Sequence, residues 1–493
     1  MINSITIFTP FITIITTIII LFITISIKRN NLISCFITII GLIITIISIL
    51  VFKNNINYDY LFVYNNYYNF FSIILLLISI ITCIIAYPWL NKLIHNKDEF
   101  YLLIIIISLG GIVLNYTNNF ILMLVGLELI SIPMFGLIIY NVGSKQSLES
   151  SIKYTILSII SSSCLILGIS LIYIEYGNLN FINLTNVMIN MYNSNNHIHL
   201  DIIGICFILF SLGFKLSIVP FHLWTPDIYE GSPTIVTMFL STFSKTVIFI
   251  LLHKLLICFY MSYTNQIIIY KILLLLSILS IIFGNIMALT QINIKRILGY
   301  SSISHMGYLL TILLYNRINL QNNTVILTTI GIYIISYIIN NIGIFGVMSL
   351  HSQNVSHYDK YHTDNIYNYR GLFWYNPLYA FILTIMLFSL AGIPISIGFI
   401  AKFYIMYLNL YMGIWYLIFI LILGSIIGLY YYLRIIISLY LIPPTIHTMN
   451  INKKFKKTHN TLLIEIILLL LTILTIIFGL YPEPIIQIIK RLI

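Results

Sequence analysis

The sequence predicts an all-α, polytopic membrane protein of about fourteen transmembrane helices. Three observations carry that prediction: a composition too apolar for water, apolar runs of bilayer length along the whole chain, and two runs interrupted by proline at equivalent places. Of 493 residues, 60% are hydrophobic and only 8% charged, against about 25% charged in ordinary soluble domains. So few charges cannot cover a water-facing surface. A bilayer suits such a chain, because spanning helices satisfy their backbone polar groups internally.

Charge and cysteine usage narrow the function. The net charge is +11 and the pI about 9.2. In a soluble chain that balance would suggest a nucleic-acid partner. Here the basic residues fall mostly in short loops between apolar runs, as topology signals do, so the expected surroundings are the lipid bilayer and no nucleic acid. The five cysteines (Cys35, Cys83, Cys164, Cys206, Cys258) lie in or beside apolar segments and form no C-x-x-C pair. Neither a disulfide framework nor an iron–sulfur site is indicated. The absence of G-x-G-x-x-G and Walker A loops argues against a nucleotide site.

A span needs about 20 mostly apolar residues. On that rule the spans are 5–27, 32–52, 70–90, 100–116, 120–140, 152–176, 201–230, 234–256, 267–289, 297–315, 324–350, 376–411, 413–440 and 461–481. The first is followed by Lys28 and Arg29 without a small-residue cleavage site, and reads as a helix rather than a signal peptide. The seventh is interrupted by Pro220, Pro226 and the polar run His222–Asp227. The twelfth would be about 54 Å long as one helix, too long for a bilayer, and carries Ala391-Gly392-Ile393-Pro394 near its middle. Both read as discontinuous helices, since proline removes a helix hydrogen bond.

Spans four to eight and nine to thirteen form two groups of five, and the fourth member of each is broken. Because five is odd, the second group enters the membrane inverted. Inverted repeats with discontinuous helices are a transporter signature. The expected domains are residues 1–99 (three N-terminal helices), 100–256 (first five-helix unit), 267–440 (second, inverted unit) and 441–493 (basic inner loop and last helix). With the N-terminus outside, the inner loops hold Lys28, Arg29, Lys92, Lys97, Lys145, Lys295, Arg296, Lys360, Arg370, Lys453, Lys454, Lys456 and Lys457. The outer side holds Lys53, Lys254, Lys271, Arg317, Lys490 and Arg491. That asymmetry predicts both termini on the outer side.

An ionisable group at the centre of a span costs roughly 2.5–3.5 kcal/mol on insertion scales, which makes it a functional candidate. Four stand out: Glu128 in span five, Lys215 five residues before Pro220, Lys245 in span eight, and Lys402 after the break in span twelve. Desolvation weakens a lysine's hold on its proton and a nearby carboxylate restores it. A Glu128–Lys215 pair would therefore hold a proton until perturbed, then release it toward Lys245 and Lys402. Snorkelling does not suit Glu128 or Lys245, each roughly 12 Å from either end of its span.

His305 in span ten has two readings, a proton relay between Lys245 and Lys402 or a hydrogen-bonded core histidine. Lys153, Arg434 and Glu465 lie nearer span ends and read as anchors. Asp227 and Glu230 read either as the rim of an inner opening or as caps of the next helix. The loop carrying His351, His357, Asp359, His362 and Asp364 matches no strong metal-ligand spacing. The tyrosines at 58–68 and 429–432 read as interfacial or packing aromatics.

The run Gly213-Phe214-Lys215-Leu216-Ser217-Ile218-Val219-Pro220-Phe221-His222-Leu223-Trp224-Thr225-Pro226-Asp227-Ile228-Tyr229 resembles the broken-helix signature of the antiporter-like subunits of proton-pumping NADH:quinone oxidoreductase, respiratory complex I. Its Leu-Trp-Thr-Pro-Asp variant is similar to subunit N. Further similarities are Lys97–Leu103, Glu149–Ser158 (with Ser150 and Ser151 where Ala-Ser is usual), Asn293–His305, and Leu390–Pro394 running to Gly398–Tyr404.

The resemblance covers nearly the whole chain and implies fourteen helices in two inverted five-helix units. It implies Glu128, Lys215, Lys245 and Lys402 as proton-path residues, other membrane-arm subunits as partners, and an inner-membrane location as in bacterial cells. It further implies no cofactor in this subunit, with FMN, iron–sulfur clusters and quinone in or near others. Lys402 speaks against subunit M, whose counterpart is usually Glu, and the lack of a long C-terminal extension speaks against subunit L. The competing expectations are a subunit of a multi-subunit cation/proton antiporter, which shares the fold, and a non-conducting scaffold.

Overall fold

The structure is a computed structural model that describes residues 2–51, 57–58, 61–93, 96–141, 144–192, 200–260, 263–317, 323–354, 364–442 and 459–492. Lys53, His357, Asp359, Lys360, His362, Lys453, Lys454, Lys456 and Lys457 lie outside the described residues. The chain is a polytopic all-α membrane protein, and each of the predicted runs is helical. Among the described residues eleven helices are long and apolar enough to cross a membrane, and two shorter apolar helices fill the predicted span twelve.

By contact clustering the chain divides into two compact units. The first comprises Met1–Ser217, Phe239–Ile272 and Leu492–Ile493; the second comprises Ile218–Met238 and Leu273–Arg491.

The first unit contains α1 (Ile2–Ile27), α2 (Asn31–Val51), α3 (Asn66–Asn91), α4 (Glu99–Tyr116), α5 (Phe120–Ile138), α6 (Lys145–Tyr176), α7 (Phe181–Tyr192) and α8 (Leu200–Leu216). A small antiparallel ribbon pairs Asn57–Tyr58 with Val63–Tyr64 between α2 and α3. The unit also holds most of a helix that starts as α10 (Thr234–Phe239), passes through a π-helical turn (Leu240–Ser244) and continues as α11 (Lys245–Phe259). The asparagine-rich loops do structural work: Asn119 begins α5, its side chain accepting from the Ile121 amide at 2.9 Å and so satisfying one of the orphan donors of a helix start. One face of α6 leaves Ile152, Ile156, Ile159 and Ile174 exposed. Such a face suits lipid and would be a liability in water.

The second unit contains α9 (Trp224–Gly231), most of α12 (Tyr263–Thr290), α13 (Ile294–Leu313), α14 (Asn323–Asn354), the single turn α15 (Leu372–Tyr375), α16 (Pro377–Ala391), α17 (Ile397–Tyr411), α18 (Trp415–Tyr440), α19 (His459–Leu480) and α20 (Glu483–Leu492). Its core is α13 and α14, packed by α9, α16, α17, α18 and α19. Nearly every side chain of α13 is buried, including Ser301, Ser302, Ser304 and His305. That polarity explains why α13 falls outside the apolar spans although it lies in the middle of the unit.

Both predicted helix breaks are present. Span seven is α8, a non-helical stretch 217–223, and α9; span twelve is α16, a turn at 392–396, and α17. The interruption of span eight by the π turn was not predicted, nor were α7 and α20.

Four charges have partners that the sequence did not indicate. Lys254, expected on the outer side with the loop cations, is buried in α11; its Nζ donates to the Asn115 backbone oxygen at 3.4 Å and sits 4.4 Å from the Tyr68 ring centre. The last carbonyls of α4 have no helical partner, and a cation is favoured there. Glu465, expected to anchor a span end, is buried and accepts from the Tyr379 hydroxyl at 2.8 Å. Asp227 and Glu230 are both held by Arg296, Asp227 at 3.2 Å. Two other cations follow the anchoring expectation. Lys153 pairs with Glu149 at 2.7 Å on the exposed α6 surface, and Arg434 donates to the Leu289 and Gln291 carbonyls.

Candidate functional site

Each unit places lysines beside a helix interruption, Lys215 and Lys245 in the first and Lys402 in the second. In the first unit, Glu128 projects from the middle of α5, where Ser131 one turn on donates to its Oε2 at 2.7 Å. Lys215 occupies the last turn of α8, the end at which the helix dipole favours a cation. Glu128 is the charged group that acts electrostatically on Lys215. Among the described residues no direct ion pair joins the two, so their interaction runs through space.

The backbone beyond Lys215 turns sharply. Ser217 has φ +60, in the left-handed region that a residue with a Cβ rarely occupies and that clusters at functional sites. Held there, its hydroxyl accepts from Lys245 Nζ at 2.8 Å. Lys245 is fully buried and is the first residue after the π turn. A π turn inserts one residue into the helix and is frequent at functional sites. The break of α8 and the π turn thus place Lys245 on the strained serine two residues beyond Lys215 in the chain.

The second unit repeats the pattern with other residues. Gly392 ends α16 at φ +87, the left-handed cap that glycine takes without strain. The break leaves the Leu390 and Ala391 carbonyls without helical partners, and Lys402 Nζ donates to both at 2.8 Å. The ammonium thereby caps the negative end of α16. The start of α17 is pressed against the end of α16: a Cβ on Gly398 would lie 1.8 Å from the Ser389 carbonyl oxygen, and the Gly398 amide donates to Ser389 Oγ at 3.2 Å.

His305 hydrogen-bonds through both ring nitrogens, Nδ1 to the Tyr333 hydroxyl at 2.6 Å and Nε2 to the Tyr432 hydroxyl at 3.3 Å. His305 and Lys402 line one cavity of about 10 Å³, with Tyr333, Tyr337, Asn340 and Ser389 on its walls. That volume is at the lower limit for one water molecule. The cavity is polar enough to bind water, and hydroxyl, imidazole and ammonium groups around it can all exchange protons.

Of the five predicted site residues, the structure thus groups Glu128, Lys215 and Lys245 in the first unit, and His305 and Lys402 in the second. Sequence reasoning missed Ser131, Ser217, Tyr333 and Tyr432. The signal for Tyr333 was present in span eleven, whose Tyr333, Ser336, Tyr337, Asn340 and Asn341 recur at helical spacing. No signal marked Ser217, because its role depends on a backbone conformation. The tyrosines at 429–432 were read as packing aromatics; Tyr432 is instead a partner of His305. In the loop considered for a metal, Asp364 pairs with buried Lys295 at 2.8 Å and His351 stacks on Tyr369.

Comparison with known proteins gives the same architecture. Residues 117–428 match the family described as the transmembrane part of NADH:quinone oxidoreductase and Mrp antiporters. Among solved structures, a chain of respiratory complex I from Thermus thermophilus with bound aureothin is 24% identical with a TM-score of 0.78, over 97% of this chain and 99% of that one. A chain of the membrane-bound sulfane sulfur reductase, an archaeal respiratory membrane complex, is 20% identical with a TM-score of 0.83, over 100% and 97%. A chain of the Mrp complex from Dietzia sp. DQ12-45-1b is 15% identical with a TM-score of 0.79, over 98% and 96%. At these identities the likeness is one of fold.

Proposed function

We propose, from the premise that this chain belongs to the NADH:quinone oxidoreductase/Mrp antiporter transmembrane family, that it is a proton-translocating membrane-arm subunit of an NADH:quinone oxidoreductase, of the subunit N type. The observation that supports this reading best is the recurrence of one device in both units: a lysine at the C-terminal end of a broken helix, Lys215 in the last turn of α8 and Lys402 of α17 donating to the last carbonyls of α16. Such an end stabilises the ammonium without a fixed counter-ion, and lysine, unlike arginine, can give up its proton.

In this reading the proton path uses Glu128, Lys215, Lys245, His305 and Lys402. A change in the position of Glu128 alters the charge state of Lys215. Lys245 takes part through Ser217, and His305 and Lys402 exchange through their shared cavity. The free energy would come from quinone reduction in other subunits, which would also carry the FMN and iron–sulfur clusters. The location would be the inner membrane of a bacterial cell with both termini outside, and the partners the other membrane-arm subunits.

The test is NADH-driven proton uptake in sealed vesicles set against the amount of assembled complex. Lys215→Ala and Glu128→Ala are each expected to lower pumping at least about tenfold, an effect near 1.4 kcal/mol, while assembly changes little. Normal pumping with either variant overturns the pair.

The second reading, a subunit of a multi-subunit cation/proton antiporter, has the fold likeness to the Mrp complex in its favour. Gentle purification of the tagged chain separates the two. Co-purification of flavin and NADH-oxidising activity supports the first, and cation-dependent proton exchange without them supports the second.

A further inference from the structure

A groove of about 390 Å³ opens on the second unit where the first turn of α14, the middle of α17 and α20 meet. Its lining is divided by chemistry. Lys490 and the hydroxyl-bearing Thr324, Thr328, Tyr404 and Tyr407 supply its polar lining, and Val325, Phe403 and Ile486 the apolar part. Among the described residues no carboxylate pairs with Lys490. Thr324 is in the first turn of α14, where the free amides of a helix carry partial positive charge.

An aromatic stripe runs along α17 and contributes Phe403 and Tyr407 to the groove. Phe399, Phe403, Tyr407 and Tyr411, spaced four residues apart, are 38%, 57%, 52% and 61% exposed. Helix α20 buries Ile485 and Ile489 while exposing Lys490 and Arg491, the amphipathic, basic pattern of a helix that lies in the membrane interface. Tyrosine is likewise at home at headgroup level.

We infer that this groove is a binding site for one anionic phospholipid, its phosphate held by Lys490 and the hydroxyls and its acyl chains laid along the aromatic stripe of α17. The volume lies within the usual range for small-molecule sites, roughly 300–1,000 Å³. A soluble phosphate would use Lys490 and the hydroxyls alone and leave the stripe uncovered; a zwitterionic lipid also brings a phosphate, but its headgroup cation beside Lys490 and the helix start offsets much of that gain. The anionic amphiphile matches both parts of the lining at once.

The test uses the assembled complex, reconstituted in vesicles with a phosphatidylglycerol that bears a photoreactive group on its acyl chain. A matched phosphatidylcholine probe at the same mole fraction is the control. Phosphatidylglycerol is expected to label peptides 397–411 and 483–492 several-fold more than phosphatidylcholine. Lys490→Glu is expected to lower that label about fivefold, near the effect of one surface cation on anionic lipid, and Lys490→Arg to retain it. Equal labelling by the two lipids overturns the anionic site. Absence of label from those peptides, or capture of another protein chain by a photoreactive residue at position 407, overturns the lipid itself. Should Lys490→Glu fail to assemble, the comparison of the two lipids on the unaltered complex still decides.

Discussion

Ser217 is the residue on which the first unit turns. A lysine buried as completely as Lys245 must hydrogen-bond, and the Ser217 hydroxyl is a partner made available only by the left-handed backbone beneath it. Ser217→Ala removes this acceptor from a buried donor, at a cost of about 1–3 kcal/mol. Thermal unfolding of the purified complex is expected to shift down accordingly, and proton pumping to fall with it; Ser217→Gly, which suits the left-handed backbone but also lacks the hydroxyl, is expected to recover part of the stability and none of the pumping.

The corresponding residue of the second unit is Tyr333, whose hydroxyl orients His305. Tyr333→Phe keeps the ring and loses one hydrogen bond, about 1 kcal/mol. The expected readout is a displaced pH profile of pumping with normal assembly. An unchanged profile would show that Tyr333 only packs.

At the scale of the element, the two helix breaks differ in how they are held. The break between α16 and α17 depends on contact so close that a single methyl group has no room: Gly398 faces the Ser389 carbonyl directly. Gly398→Ala must push the two half-helices apart. Overpacking of this kind costs about 1–3 kcal/mol and here also disturbs the carbonyls that hold Lys402. Gly392→Ala instead imposes a Cβ on a left-handed residue, about 1–2 kcal/mol, and sets that Cβ 2.9 Å from the Lys402 side chain. Stability and pumping are expected to fall for both, as measured on the same vesicle preparations.

The breaks themselves were legible in the sequence, because Pro220, Pro226 and Pro394 interrupt otherwise continuous apolar runs. The spans were legible for the same reason: hydropathy is summed over some twenty residues, and no local detail disturbs the sum. The π turn at 240–244 was not, since one inserted residue leaves the hydropathy of Leu240–Ser244 unchanged. Helix α20 was hidden by its brevity, and the burial of Lys254 by its place nine residues beyond Lys245, where a cation that caps α4 looks the same as one that reaches solvent. Among the site residues, Glu128, Lys215, Lys245 and Lys402 were conspicuous because charge in the middle of a span is costly. Their hydroxyl partners were not, because serine and tyrosine are tolerated anywhere in a helix.

For the whole molecule, the division into two units does not follow the order of the chain. Residues Ile218–Met238 belong to the second unit although first-unit residues lie on both sides of them in sequence. Within the second unit α9 packs on α13, and Arg296 of α13 is the cation that holds Asp227 and Glu230 of α9. Arg296→Ala leaves two carboxylates without that partner. A loss of about 1–2 kcal/mol is enough to change the abundance of a protein several-fold in a cell. The steady-state level of assembled chain is therefore expected to drop several-fold by immunoblot, with the activity per assembled complex largely kept.

The same ion pairs set a schedule for synthesis. Arg296 follows Glu230 by 66 residues and Asp227 by 69. At ribosomal speeds of about 5–20 residues per second, it emerges some 3–14 s after the acidic segment it neutralises. Through that interval α9 has neither the counter-charge nor the helix it packs against, and its carboxylates stand at the edge of a membrane with nothing from α13 to hold them. The nascent chain is thus most open to insertion factors and proteases between the completion of α9 and that of α13, and slowing translation across 231–293 would lengthen the exposure.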